Sequence, residues 1–138
     1  MRIAMVAGVA ALGIAGTSKA QVPNPIDCNR ASSTIEMNYC SERAFEKADA
    51  KLNEAYQAVL KHIRANGGEA PYDAKSWEEA LRASQRAWIA YRDAECKGLV
   101  PMEWSGGTGT TTAVNGCMSE LTEARTKVLK ERYAGSAR

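Results

Sequence analysis

The segment STIEMNYCSERAFEKADAKLNEAYQAVLKHIRANGG, residues 33–68, decides the fold. It opens as a capping box, in which the Ser33 hydroxyl takes a free amide at the third helical position while Glu36 reaches back to the cap. Apolar side chains then recur at Tyr39, Phe45, Ala48, Leu52, Tyr56, Val59 and Ile63. They fall mostly three or four apart, the spacing of one helix face. Asn66-Gly67-Gly68 stops the pattern, because glycine tolerates the left-handed backbone that follows many helix ends.

Working outward, a second start signal stands at Ser76-Trp77-Glu78-Glu79, after the breakers Pro71 and Asp73. The helix it opens carries Trp77, Leu81, Ser84, Trp88 and Tyr91 on one face, with Ile89, Arg92 and Cys96 on the adjoining stripe. Trp88 against Tyr56 is the expected centre of packing. Gly98 and Pro101 are expected to end this helix. A third begins between Thr110 and Ala113, carries Val114, Cys117, Leu121, Ala124 and Val128, and frays near Gly135. No stretch alternates apolar and polar residues at strand spacing, and no internal repeat is present. The fold class is therefore all-α: a small antiparallel three-helix bundle.

Residues 1–20 read differently. Arg2 precedes an apolar run over residues 3–16, and Ser18-Lys19-Ala20 forms a small-x-small cleavage pattern, so this is a signal peptide and residues 21–138 are a single domain. No later segment has the roughly 20 apolar residues that a membrane helix needs. No cysteine follows the expected cut, so lipid attachment lacks its acceptor. The mature chain is read as periplasmic or secreted, with an extended lead-in through residue 32. The full chain carries a formal charge of +2, and loss of Arg2 and Lys19 brings it to balance. A balanced surface excludes a nucleic-acid binder, which needs a basic stripe against phosphates.

Export also sets the chemistry of Cys28, Cys40, Cys96 and Cys117, which in an oxidising compartment read as two disulfides. Three connectivities are open to four cysteines, and spacing does not choose among them. In an antiparallel bundle the first helix starts, the second ends and the third starts at one pole, so all four gather there. Cys28 with Cys40, and Cys96 with Cys117, then need the least rearrangement of the chain.

Catalytic constellations do not assemble from this sequence. His62 is its one histidine, near a helix end where a polar residue is ordinary. With the cysteines spent on bridges, no zinc site is left. Glu78 and Glu79 are the acids that a helix's first turn favours. The glycine-rich run at residues 105–112 lacks the lysine and the preceding strand of a phosphate loop. No catalytic residue, metal or cofactor is expected, and the chain is read as a non-enzyme; a wall hydrolase would need a carboxylate pair that the sequence does not display.

The stretches DCNRASSTIEMNYCSERAFEKADAKLNEAY (27–56), SQRAWIAYRDAEC (84–96) and GCMSELTEARTKVLKERY (116–133) together resemble the LprI-like lysozyme-inhibitor family. The shared features are Glu36-Met37-Asn38 before Cys40, Asp49 with Leu52-Asn53 and Tyr56, Gln85 with Ala87-Trp88 and Tyr91-Arg92-Asp93 before Cys96, and Cys117 with Leu121, Thr122 and Arg125. The resemblance implies a small helical envelope domain and, as an activity, inhibition of host-type lysozyme. Lysozyme or another envelope protein is thus the expected partner, the alternative role being an interaction or scaffold module without lysozyme activity.

Within those motifs, Asp49, Asn53, Arg92, Asp93 and Arg125 lie on or beside apolar stripes, where a charge is tolerable only when paired. Arg92 and Arg125 are expected to pair with acids of the first helix such as Asp49, fixing register and leaving no ligand pocket. The segment between Cys96 and Cys117 is the candidate binding loop. Its hydroxyls at Ser105, Thr108, Thr110 and Thr111 can reach carboxylates in an enzyme cleft, and Trp104 can fill a sugar subsite. For Trp104 itself, packing down onto the bundle is the favoured reading.

Overall fold

Ser33 caps the first helix as its spacing requires. In the computed structural model, which describes residues 26–134, helix α1 spans Thr34–Asn66. The Glu36 amide donates to the Ser33 hydroxyl at 3.2 Å, and the Glu36 carboxylate takes the Ser33 amide at 3.0 Å. Of the expected extended lead-in, residues 21–25 lie outside the described residues, and residues 27–30 form a tight turn instead: Arg30 N donates to Asp27 O, and the Asp27 carboxylate takes the Asn29 amide and the Arg30 guanidinium. The signal-peptide segment lies outside the described residues.

Helix α2 covers Ala74–Asp93. Its cap is Asp73, whose carboxylate accepts the Ser76 amide at 2.8 Å, so Ser76 is inside the helix rather than its start. The carboxylate sits one turn earlier and has the first claim on the free amides. The turn before it also departs from expectation. Gly67 is extended, at φ −62° and ψ 132°, and not left-handed; glycine is needed there because a Cβ would collide with the backbone of Ala74.

Gly98 and Pro101 do not end the second rod. The chain continues through a π-helical segment, Ala94–Leu99, into a one-turn helix α3, Val100–Glu103, with Pro101 in its first turn. Proline fits there because the first amides of a helix have no partner to lose. Helix α4 then runs Thr110–Ala134. No strand occurs among the described residues, and none of their helices is long and apolar enough to cross a membrane.

The first and fourth helices form the main interface and run parallel. Thr112 donates to Asn38 at 2.8 Å and Asn115 to Ser41 at 3.1 Å, which sets their starts side by side. The core joins Leu52, Val59 and Ile63 of α1 to Leu81 of α2 and Leu129 of α4. Tyr56 and Trp88 pack against that core only half-buried, and Tyr91 is 54 % exposed, so aromatic residues of α2 form a flank and not the centre. On α4 the buried positions are Met118, Thr122, Thr126 and Leu129. This stripe replaces the one expected through Val114 and Val128, and Val128 is 41 % exposed.

Two cross-links tie the upper pole: Cys28 to Cys40 and Cys96 to Cys117, each with Cα atoms 5.5 Å apart. Cys96 is fully buried. On the chain-entropy account each such link stabilises by about 3 kcal/mol, a large fraction of what a small bundle has.

Candidate functional site

The segment between Cys96 and Cys117 is mostly helix, and only residues 104–109 are a true loop. Three backbone bonds close its entry: Trp104 N to Val100 O at 3.1 Å, Ser105 N to Met102 O at 3.2 Å, and Gly106 N to Pro101 O at 3.2 Å. The last two are the paired bonds of a Schellman ending. The turn puts Ser105 at φ 50° and Gly106 at φ 66°. Gly107 N to Trp104 O and Thr110 N to Gly107 O then carry the chain into α4.

Trp104 is 51 % exposed, with its indole lying directly on Gly109; a Cβ there would meet the ring. It shares a cleft of about 260 Å³ with Thr34, Met37, Thr108 and Thr112. One face of the indole thus packs on the bundle and the other is open. Ser105 and Thr108 are exposed on the loop, whereas Thr110 and Thr111 belong to the first turn of α4. Thr111 is exposed, and the Thr110 hydroxyl oxygen is buried without a hydrogen bond.

The second set of candidate residues divides in two. Arg92, only 7 % exposed, donates from Nε to Asp93 at 3.0 Å and from Nη1 to the Thr122 hydroxyl at 3.3 Å. Its Nη1 stands 3.6 Å from the Asp49 carboxylate, which also accepts the Asn53 amide at 3.2 Å. Its guanidinium carbon lies 5.4 Å from the Phe45 ring centre and 5.1 Å from that of Trp88. Burial pushes the Asp93 carboxyl up, but hydrogen bonds from Lys97 and Arg92 outweigh it and hold the group below the ordinary carboxylate range. Asp49, Asn53, Arg92 and Asp93 therefore form one polar network between α1, α2 and α4.

Arg125 is not part of it. Instead of an acid on α1, its Nε donates to Gln85 and its Nη2 to Ser84, both at 3.1 Å and both on α2. The expected pairing fails because Arg125 is on the side of α4 that meets α2, one turn beyond Thr122. Sequence reasoning also missed Thr122 and Ser84 as hydrogen-bond partners. Thr122 belongs to a stripe at 118, 122, 126 and 129 with helical spacing, but two threonines hide it from a count of apolar residues.

Among the described residues no cluster of histidine, cysteine and acidic side chains could hold a metal ion. A model of the lysozyme inhibitor LprI family matches residues 27–129. The chain belongs to that family. Similarity extends to an uncharacterized protein of Rhizobium meliloti (strain 1021), 40 % identical over 119 residues and covering 83 % of each chain. This chain also shares its fold with a crystal structure of a DUF1311 family protein from Pseudomonas putida KT2440. That match has a TM-score of 0.61 at 22 % identity and covers 75 % of this chain and 94 % of the other. The LprI family is one of inhibitors, not catalysts. Its membership and the two bridges together point to an extracytoplasmic protein.

Proposed function

We propose that this chain is a periplasmic or secreted binding protein that inhibits host-type lysozyme through the loop at residues 104–109. The observation that carries the reading is the half-exposed Trp104 on a loop whose flanks are joined by the Cys96–Cys117 bridge. A lysozyme cleft presents two carboxylates to a bound sugar chain. An inhibitor must therefore offer hydrogen-bond donors together with a flat apolar surface. Ser105 and Thr108 supply hydroxyls, the start of α4 directs its positive dipole end the same way, and the open face of Trp104 suits a sugar subsite. Holding the loop by a covalent bridge and a Schellman ending lowers the ordering cost of binding.

The test is the rate at which chicken-type lysozyme clears a cell-wall suspension, with and without the oxidised mature protein. Inhibition that Trp104→Ala weakens more than it lowers the melting temperature supports the reading. An unchanged rate at excess protein, with no complex by calorimetry, removes lysozyme as the partner. Full inhibition by a destabilised Trp104→Ala variant assigns that side chain to packing.

A further inference from the structure

The two arginines that point between the helices differ in one respect. Arg92 has carboxylates from Asp49 and Asp93 beside it, whereas the partners of Arg125 are the neutral Gln85 and Ser84 and the face of Trp88, 5.9 Å away. No ion pair with Arg125 forms among the described residues. Arg132 follows seven residues later, two turns along the same face of α4, and forms none there either. Both border a groove of about 170 Å³ between α2 and α4, floored by Leu81 and Leu129 and bounded by Trp77 and Tyr133.

A guanidinium cannot shed its proton at any ordinary pH, so two of them beside an apolar floor repel one another until an anion arrives. Burial, and then Arg132, lower the pKa of Arg125, against a smaller opposing effect of Tyr133. Arg132 is in the last turn of α4, where free carbonyls favour a cation. Arg125 is more than two turns inside the helix, and no such end effect reaches it. The occupant must bring a negative charge and an apolar body together. An internal aspartate or glutamate brings only the charge on a short stem. The terminal residue of a polypeptide brings both.

We propose that the groove between α2 and α4 is a carboxylate-binding site for the C-terminus of a partner polypeptide. The terminal α-carboxylate sits between Arg125 and Arg132, and an apolar terminal side chain rests on Leu81 and Leu129. The site is at the opposite pole from the bridges and is independent of the lysozyme reading, so Trp104→Ala leaves it intact.

The test is a titration of the oxidised protein with N-acetyl-leucine and, separately, N-acetyl-leucinamide, followed by amide and indole NMR shifts. The acid is expected to shift the Trp77 indole and the amides of Leu81, Arg125 and Leu129 saturably, and the neutral amide to leave them in place. Arg132→Gln, at an exposed position, should weaken the acid about tenfold, as loss of a charge-assisted hydrogen bond does. Arg125→Lys should weaken it while keeping the charge. Equal shifts from acid and amide, shifts confined to other regions, absence of shifts, or unchanged affinity in Arg132→Gln would each overturn the proposal.

Discussion

The Arg92 guanidinium stands 3.6 Å from the Asp49 carboxylate across the α1–α2 interface and donates to Thr122 of α4 on the same side. One side chain thus ties all three long helices. Exposed ion pairs contribute little, but Arg92 is nearly enclosed and its stem and plane pack on Phe45 and Trp88. Arg92→Ala is expected to cost about 2 kcal/mol in urea unfolding, chiefly through lost packing of its stem, since the carboxylates it leaves behind are partly exposed. Arg92→Met, which keeps the stem, should recover part of that. A loss below about 1 kcal/mol in Arg92→Ala would place the network among the dispensable surface pairs.

Acid should weaken the α1–α2 contact at the lower pole. Glu78 accepts from Arg64 of α1 at 2.9 and 3.0 Å and also pairs with Arg82. Those hydrogen bonds lower its carboxyl from 4.5 to about 2. A group depressed in the folded state lends stability above its unfolded value and loses it as pH falls through the folded one. The contribution of Glu78 is thus complete above about pH 4.5 and gone near pH 2. Urea midpoints measured across that window should fall less steeply for Glu78→Gln than for the parent chain; parallel curves would exclude the ion pair as a source of acid sensitivity.

Ser105 occupies the left-handed position of the Schellman ending at φ 50°, a conformation that costs a side-chain-bearing residue about 1–2 kcal/mol. Ser105→Gly is expected to stabilise by about 0.5–1 kcal/mol once the greater freedom of the unfolded glycine is deducted. At the neighbouring contact, Gly109→Ala should lift the indole of Trp104 off the bundle. The readout is the Trp104 indole resonance and its solvent exchange; an unmoved resonance would mean that the helix start yields instead of the ring.

The two bridges should differ in their response to reductant. Cys28 is exposed, while Cys96 is fully buried, and thiol attack requires access to a sulfur. Limited dithiothreitol followed by alkylation and mass spectrometry should find Cys28 and Cys40 labelled well before Cys96 and Cys117. Simultaneous labelling would show that reduction follows global unfolding.

Much of the architecture was legible because it rests on local chemistry. Ser33 and Glu36 are three residues apart and meet in the first turn of whatever helix forms, so that boundary needed no tertiary information. Asp73 was within reach of the same reasoning, but Ser76 offered a competing cap, and a carboxylate one turn earlier prevailed. Pro101 was misread for a related reason: it breaks a helix interior yet fits a first turn, and only the π-helical re-phasing of Ala94–Leu99 creates a first turn there. The α4 stripe was hidden by Thr122 and Thr126, whose hydroxyls are satisfied inside the bundle by Arg92 and by the Thr122 carbonyl.

By itself the sequence determined three long helices, the Ser33 cap of the first and the pole at which the cysteines gather. Each follows from periodicity, turn chemistry or spacing along one chain. Which acceptors take Arg125, and whether Trp104 faces the bundle or the solvent, were decided only in three dimensions. A side chain's partner depends on the rotation of one helix against another, and that rotation is set by the packing of Leu52, Ile63, Leu81 and Leu129 together. The same rotation leaves Arg92 among acids and Arg125 beside an open groove.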